Sequence, residues 1–386
     1  RVYASVELGI AAAALLVPLF IDLATRLHAH LFSSTGLLAG EGGLATMLFY
    51  LVSSFVILLV PTALMGATLP LLARHAVRTN EEIGTRIGSL YAINTVGAVA
   101  GTLLSGFVLL PEIGLRQTVF VAVAGNALVF VLAAFLATSA PLPRSFTEVA
   151  SRAFPSDRRR WILPLVAVSG SVSFLYEVLW TRLLGHVFGG SVYAFATMLA
   201  SFLSGIAIGS WLAARRARNV EESVRGFAGA QLGTAAFSVL AFAMLDRVAP
   251  WSRQIEVWVG DSLTADALCG AFILLPSAVC IGATFPFAVR IFALGPASAS
   301  AASARVYSWN TVGAIIGAVG SGFFLIPAIG FAPTLALAVA LNLALAATTA
   351  AIRPTRAHPF AWLAAGGLAL LVLSPPSAPW LLLRNN

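Results

Sequence analysis

The sequence contains no lysine: all 23 basic residues are arginine. Charged residues of both signs make up only 10% of the 386 positions, whereas 59% are apolar and the mean hydropathy is +0.92. A soluble domain carries about 25% charged and about 45–50% apolar residues, so this shortage excludes a water-soluble enzyme and a disordered chain. Without lysine there is no Gly-x-x-x-x-Gly-Lys phosphate loop, and no dinucleotide-type glycine loop lies between a strand and a helix. No serine, cysteine or histidine has triad partners in suitable spacing. Cys269 and Cys280 stand eleven residues apart on one predicted helix. That is about 16 Å at the helical rise, against under about 7 Å for a disulfide, so both are expected as packed thiols. His28, His30, His75 and His358 fall near predicted helix ends or loops. They are expected to be solvated, because a closed zinc site takes four ligands. The chain by itself is expected to hold no catalytic residue, cofactor or metal. Its net charge of +8 is assigned to cytoplasmic loops of a membrane protein, not to nucleic-acid binding.

What is present is apolar sequence in long, unbroken, non-alternating runs. Eleven segments stand out, at 2–27, 44–76, 83–110, 115–139, 161–188, 191–214, 225–248, 264–294, 303–328, 333–353 and 359–374. Such runs are helices, not barrel strands, so the fold is expected to be an all-α integral membrane protein with about 11 transmembrane helices. Loop 140–160 carries Arg144, Arg152, Arg158, Arg159 and Arg160; placing it inside puts 17 of the 23 arginines on that side. The stretch 249–263, with Trp251 and Trp258, then falls outside as a surface helix.

The most informative pattern is an internal repeat. Residues 66–118 match 282–334 without a gap at an offset of 216, with twenty of 53 positions identical. Gly66-Ala67-Thr68 and Pro70 match Gly282-Ala283-Thr284 and Pro286. Tyr91, Asn94, Thr95, Gly97, Gly101, Ser105, Gly106, Pro111 and Gly114 match Tyr307, Asn310, Thr311, Gly313, Gly317, Ser321, Gly322, Pro327 and Gly330. Shared composition alone would not keep glycine, asparagine and proline in register. An even number of helices separates the copies, so they run parallel, as in transporters with two six-helix halves. Further back, Leu8 and Gly9 match Leu232 and Gly233. The second copy then has six helices and the first only the last four. Two helices equivalent to about 161–224 are expected to precede Arg1 in the natural protein. The expected organisation is 1–139 first repeat, 140–160 basic linker, 161–353 second repeat and 354–386 an extra helix with a tail.

Three groups of residues are candidates for function. Glu177 lies deep in an apolar segment beside Tyr176 and Trp180, and Arg182 follows five residues on, with His186 about a turn later. A charge at the bilayer centre costs at least about 2.5–3.5 kcal/mol on insertion scales, so the acid needs a partner or a proton. Two readings stand: a proton or cation site, and a structural Glu177–Arg182 ion pair. Tyr91, Asn94, Gly97, Gly101 and Ser105 share a helical face, as do Tyr307, Asn310, Gly313, Gly317 and Ser321. Here too there are two readings: interhelical packing, or Asn94 and Asn310 facing each other across a central substrate cavity. Gly97-x-x-x-Gly101, Gly205-x-x-x-Gly209 and Gly313-x-x-x-Gly317 are close-approach seams between helices. Glu7 has neutral Gln231 at its equivalent position, which argues against a required charge.

Gly209-Ser210-Trp211-Leu212-Ala213-Ala214-Arg215-Arg216-Ala217-Arg218 resembles the loop after the second helix of a major facilitator half, with Ala214 where that family has aspartate. A closer likeness rests on four motifs: Tyr176-Glu177 with Trp180-Thr181-Arg182; Ser191-Val192-Tyr193-Ala194-Phe195; Gly282-Ala283-Thr284-Phe285-Pro286; and Asn310-Thr311-Val312-Gly313 with its twin at Asn94. Across nearly the whole chain it resembles the membrane portion of bacterial spermidine-synthase-like fusion proteins, in which a facilitator-like helical domain is joined to an aminopropyltransferase-like domain. That resemblance implies a membrane anchor in the bacterial inner membrane that carries a soluble synthase-like domain and moves a polyamine or related small molecule. None of the family's transfer residues maps onto this chain. A plain secondary transporter and a non-catalytic subunit of a larger membrane complex remain as alternatives.

Overall fold

The computed structural model describes residues 1–34, 44–139, 159–352 and 358–373. Among them every regular element is helical. They are α1 (Val2–Ser34), α2 (Leu44–Ala76), α3 (Glu82–Leu104), α4 (Leu110–Ser139), α5 (Ile162–Phe188), α6 (Val192–Arg216), α7 (Val220–Ala243), α8 (Leu245–Val259), α9 (Ser262–Phe292), α10 (Ala299–Val319), α11 (Ile326–Ile329), α12 (Phe331–Ile352) and α13 (His358–Leu373). Nine helical stretches among the described residues are long and apolar enough to cross a membrane. In a bilayer each backbone amide needs an internal partner, and a helix supplies one within its own segment. Arg144, Arg152, Arg158, Arg353, Arg356, Arg384 and the tail from Ser374 lie outside the described residues.

Two differences separate these nine from the eleven apolar segments. Residues Glu82–Thr138 form one continuous 57-residue stretch, where the sequence divides into two. Inside it, Gly114 adopts φ 74°, ψ 175°, which is not helical. α13, at 16 residues, is shorter than any of the nine.

The chain forms two compact units: Arg1–Leu72 with Val108–Ser145, and Ala73–Phe107 with Phe146–Asn386. In the first, α1 packs along α4. In the second, α6 packs on α9, α10 on α5, and α7 on α9 and α12; α3 lies on α6 and α9, and α13 on α12 and α7. The sequence repeat places α3 in the first copy, yet by packing it belongs with helices of the second. The reason is local: Cβ atoms added at Gly84 and Gly88 would overlap Ala217 and Ala214 at the end of α6, and Thr85 Oγ1 donates to the Ala214 carbonyl at 3.0 Å.

The repeated segments share their local geometry. π-helical turns occupy Ser105–Leu109 and Gly320–Leu325. Gly114 and its twin Gly330 both have positive φ, 74° and 80°, with extended ψ of 175° and −178°. This region of backbone space is essentially restricted to glycine. Thr118 and Thr334 then donate to the carbonyls of Gly114 and Gly330 at 2.7 and 2.6 Å. Thr68 and Thr284 each bond three residues back at 2.7 Å, beside Pro70 and Pro286. The α1–α4 pairing also matches α7–α12 by repeat position.

The arginines at one end of the second unit close helix termini. Arg159 Nη1 donates to the Ala293 carbonyl at 3.0 Å, at the C-terminus of α9, and Arg290 Nε to the Arg218 carbonyl at 3.1 Å, just beyond α6. Cations are favoured there because the last carbonyls of a helix carry partial negative charge. Arg159 belongs to the loop 140–160 that the sequence reading places inside.

Gly114→Ala and Gly330→Ala are expected to lower stability by about 1–3 kcal/mol each. Gly125→Ala, at a helical glycine with open space around it, is expected to be neutral or stabilising. Thermal unfolding in detergent checks this; equal midpoints for all three variants would contradict the assigned backbone role.

Candidate functional site

α5 carries the strongest candidates. Its buried side chains include Leu175, Tyr176, Leu179, Trp180, Leu183 and Leu184. Tyr176 is fully buried, and Asn342 Nδ2 of α12 donates to its hydroxyl at 3.0 Å. A second polar link, from Gln231 Nε2 of α7 to Ser169 Oγ at 2.8 Å, ties α7 to the same helix. Each bond satisfies a side chain that would otherwise be stranded among apolar neighbours.

Glu177 is half-buried and lines a small pocket with Trp180, Thr181, Phe195, Met198, Phe202 and Leu274. The pocket has room for about one water-sized group. Trp180 is buried there, and among the described residues its Nε1–H has no hydrogen-bond partner. Among the described residues Glu177 makes no hydrogen bond or ion pair. The site therefore pairs one acceptor-rich carboxyl with one free indole donor in apolar walls.

Arg182 does not pair with Glu177. Five residues on a helix turn through about 140° beyond a full revolution at 3.6 residues per turn, which points the guanidinium to another neighbour. Its Nη2 donates to the Gly322 carbonyl at 2.7 Å. Gly322 lies inside the π-helical turn Gly320–Leu325. A π turn shifts its hydrogen bonds to i→i+5, and the arginine supplies a donor to one of its carbonyls. His186 is exposed and meets Phe331 edge-on, with ring centroids 6.3 Å apart.

The twin tyrosines converge on one ring, and the twin asparagines have different surroundings. The Tyr91 ring lies 4.6 Å from Phe285 of α9, and Tyr307 lies 6.2 Å from the same ring in an edge-on arrangement. Asn94 is exposed. Asn310 packs against Gly170 of α5, where an added Cβ would overlap its backbone carbonyl. The two asparagines make no hydrogen bond to each other, and the Phe285 ring meets both tyrosines.

The glycine seams behave unequally. Gly205 and Gly209 press on Ala278 and Val279 of α9, Gly282 presses back on Ile206, and Ser210 Oγ donates to the Gly282 carbonyl at 2.8 Å. Pro286, four residues on, has no N–H to satisfy that carbonyl, so the serine takes over its role. Gly313 and Gly317 lie against the Ala167 and Ser171 backbones of α5. Gly97 and Gly101 have nothing among the described residues within 4 Å of an added Cβ.

Among the described residues no three His, Cys, Asp or Glu side chains gather into a metal site, and Cys269 and Cys280 are free. Asn342, Gln231, Ser169 and Ser210 were not candidates from the sequence. A polar residue mid-run, as in Leu341-Asn342-Leu343, is the signal that could have found the first of them. Comparison with protein-family models, curated proteins and solved structures gives no match.

Tyr176→Phe leaves the Asn342 amide without its acceptor and is expected to cost about 1–3 kcal/mol. Tyr176→Phe combined with Asn342→Leu is expected to recover most of that loss. Chemical unfolding of the two variants decides the point, and a fully additive loss would count against a direct bond.

Proposed function

We propose that this chain is the membrane-embedded portion of a facilitator-like protein, made of two parallel copies of one six-helix unit. The observation that carries this reading is the shared local geometry of the copies. The π turns, the positive-φ glycines and the threonine bonds recur at the offset of 216. Identity at the twin positions already argues against shared composition, and a glycine-only backbone state at the same place in both copies adds a structural correspondence to it. On this reading Gly114 divides the 57-residue stretch into two crossings, and α13 is a further short crossing. The first copy, as seen from Arg1 onward, supplies four helices of its six.

Among proteins with such a helical half-pair, the motifs around Glu177, Tyr193, Phe285 and Asn310 favour the bacterial spermidine-synthase-like fusions. The chain would then anchor a soluble aminopropyltransferase-like domain at the inner membrane. Glu177 is its proton-exchanging position. The pocket beside it has room for about one water-sized group, which suits a carboxyl that handles a proton or water. The open Gly97–Gly101 seam favours a second reading, a non-catalytic subunit held in a larger membrane complex by helix packing.

Intact mass of the protein purified from its native membrane separates these readings. The fusion reading predicts a single polypeptide well above 40.2 kDa, with peptides from a soluble domain beyond Asn386. A mass near 40.2 kDa with stoichiometric partner proteins would overturn it in favour of the subunit. Glu177 is tested by Glu177→Gln in vesicles carrying the full protein. Proton-coupled uptake of a labelled polyamine is expected to fall to background while the thermal midpoint holds. Unchanged uptake, or none in the parent protein, would remove the proton-exchanging role.

A further inference from the structure

The α3 helix presents two glycine faces, and only one of them is used. Gly84 and Gly88 are pressed against Ala217 and Ala214, so that no Cβ fits at either position. Among the described residues, no atom lies within 4 Å of a Cβ added at Gly97 or Gly101. Around them Asn94 is exposed, and Ile93 and Val96 are 70% and 57% exposed. Two glycines in a helix interior cost about 1 kcal/mol each relative to alanine. In a membrane helix that cost is offset where a second backbone comes close.

The second copy shows what such a seam receives. Gly313 and Gly317, the twins of Gly97 and Gly101, meet the backbones of Ala167 and Ser171 on α5. Between those contacts, Gly170 of α5 meets Asn310, the twin of Asn94. One helix face therefore matches another through three small residues on α5 and an Asn-x-x-Gly-x-x-x-Gly row on α10. The same row, Asn94-x-x-Gly97-x-x-x-Gly101, is present on α3, and no described residue lies against its two glycines.

We propose that the Asn94–Gly97–Gly101 face of α3 is the seat of a transmembrane helix of the α5 kind, carried by the polypeptide that leads into α1. This rests on the two-copy reading above. The chemistry of the occupant follows from α5: an apolar helix with small residues where Ala167, Gly170 and Ser171 stand, its glycine facing Asn94. The connection follows from the second copy. There, α7 is the twin of α1, and it follows α5 and α6 through the short link 217–219. A helix pair in the corresponding place leads directly into α1.

Photo-cross-linking in the full natural protein, in its native membrane, tests the seat. Benzoylphenylalanine at Val96, on the exposed flank of the seam, reports its neighbour without altering the glycines. The expected result is an intramolecular cross-link whose peptide precedes Arg1 and contains a small-residue pattern like that of Ala167-Val168-Ser169-Gly170-Ser171. Gly97→Leu with Gly101→Leu is expected to reduce that product to the unirradiated background, whereas Gly366→Leu, at another open helical glycine, leaves it intact. Should the double leucine variant fail to fold, Gly97→Ala with Gly101→Ala serves instead, and a partial loss is expected. A cross-link to a separate polypeptide, to a second copy of this chain or to lipid alone would overturn the proposal. If peptides preceding Arg1 are found but the cross-link maps elsewhere, the seat fails while the two-copy reading stands. If no such peptides exist, both fail.

Discussion

A backbone carbonyl without a donor is costly inside a bilayer, and the helices of the second unit meet that constraint at two places where they depart from regularity. Pro286 removes the donor that would serve the Gly282 carbonyl, and Ser210 of the neighbouring helix replaces it. The π turn at Gly320–Leu325 leaves a carbonyl at Gly322 that Arg182 takes up. Both replacements come from another helix, so each repair of a local irregularity also fixes a pair of helices in register. This explains why Arg182 is not the counter-ion of Glu177. Its charge is committed to a carbonyl, and Glu177 is left facing a small apolar pocket with an indole donor that has no partner among the described residues.

The second constraint is close approach. The α6–α9 and α5–α10 contacts run through glycines at which no side chain fits. Lipid tails are as apolar as leucine side chains, so such packing, not a hydrophobic drive, holds the helices together. The first copy has the same kinds of residue on α3 but different surroundings. One glycine face of α3 is fully engaged with α6, and the face that matches the α10 seam is open. The asymmetry between twin seams distinguishes the two copies more sharply than their sequences do.

Much of the fold was legible because the determinants are local. Long apolar runs give helices wherever water is absent, and the boundary near residues 110–115 follows from Pro111 and Gly114. Gly114 and Gly330 stand in register in the sequence and share a glycine-only backbone state, so that correspondence was legible. The side-chain partnerships were less so. Glu177 and Arg182 are near in sequence, but helical geometry turns them to different neighbours. Asn94 and Asn310 look equivalent, yet Asn310 packs against Gly170 and Asn94 is exposed, because equivalence of sequence does not carry equivalence of environment. Phe285, whose ring meets both tyrosines, has leucine at its twin position, Leu69, so the repeat alone gave no reason to place it there.

The central claim is that one six-helix unit is used twice and that its glycine seams are filled alike. An electron cryo-microscopy map of the full natural protein in lipid tests this most directly. The account predicts a transmembrane helix against Gly97 and Gly101, backbone to backbone, as α5 lies against Gly313 and Gly317. A map in which lipid fills that face, with no helix in contact, would contradict it.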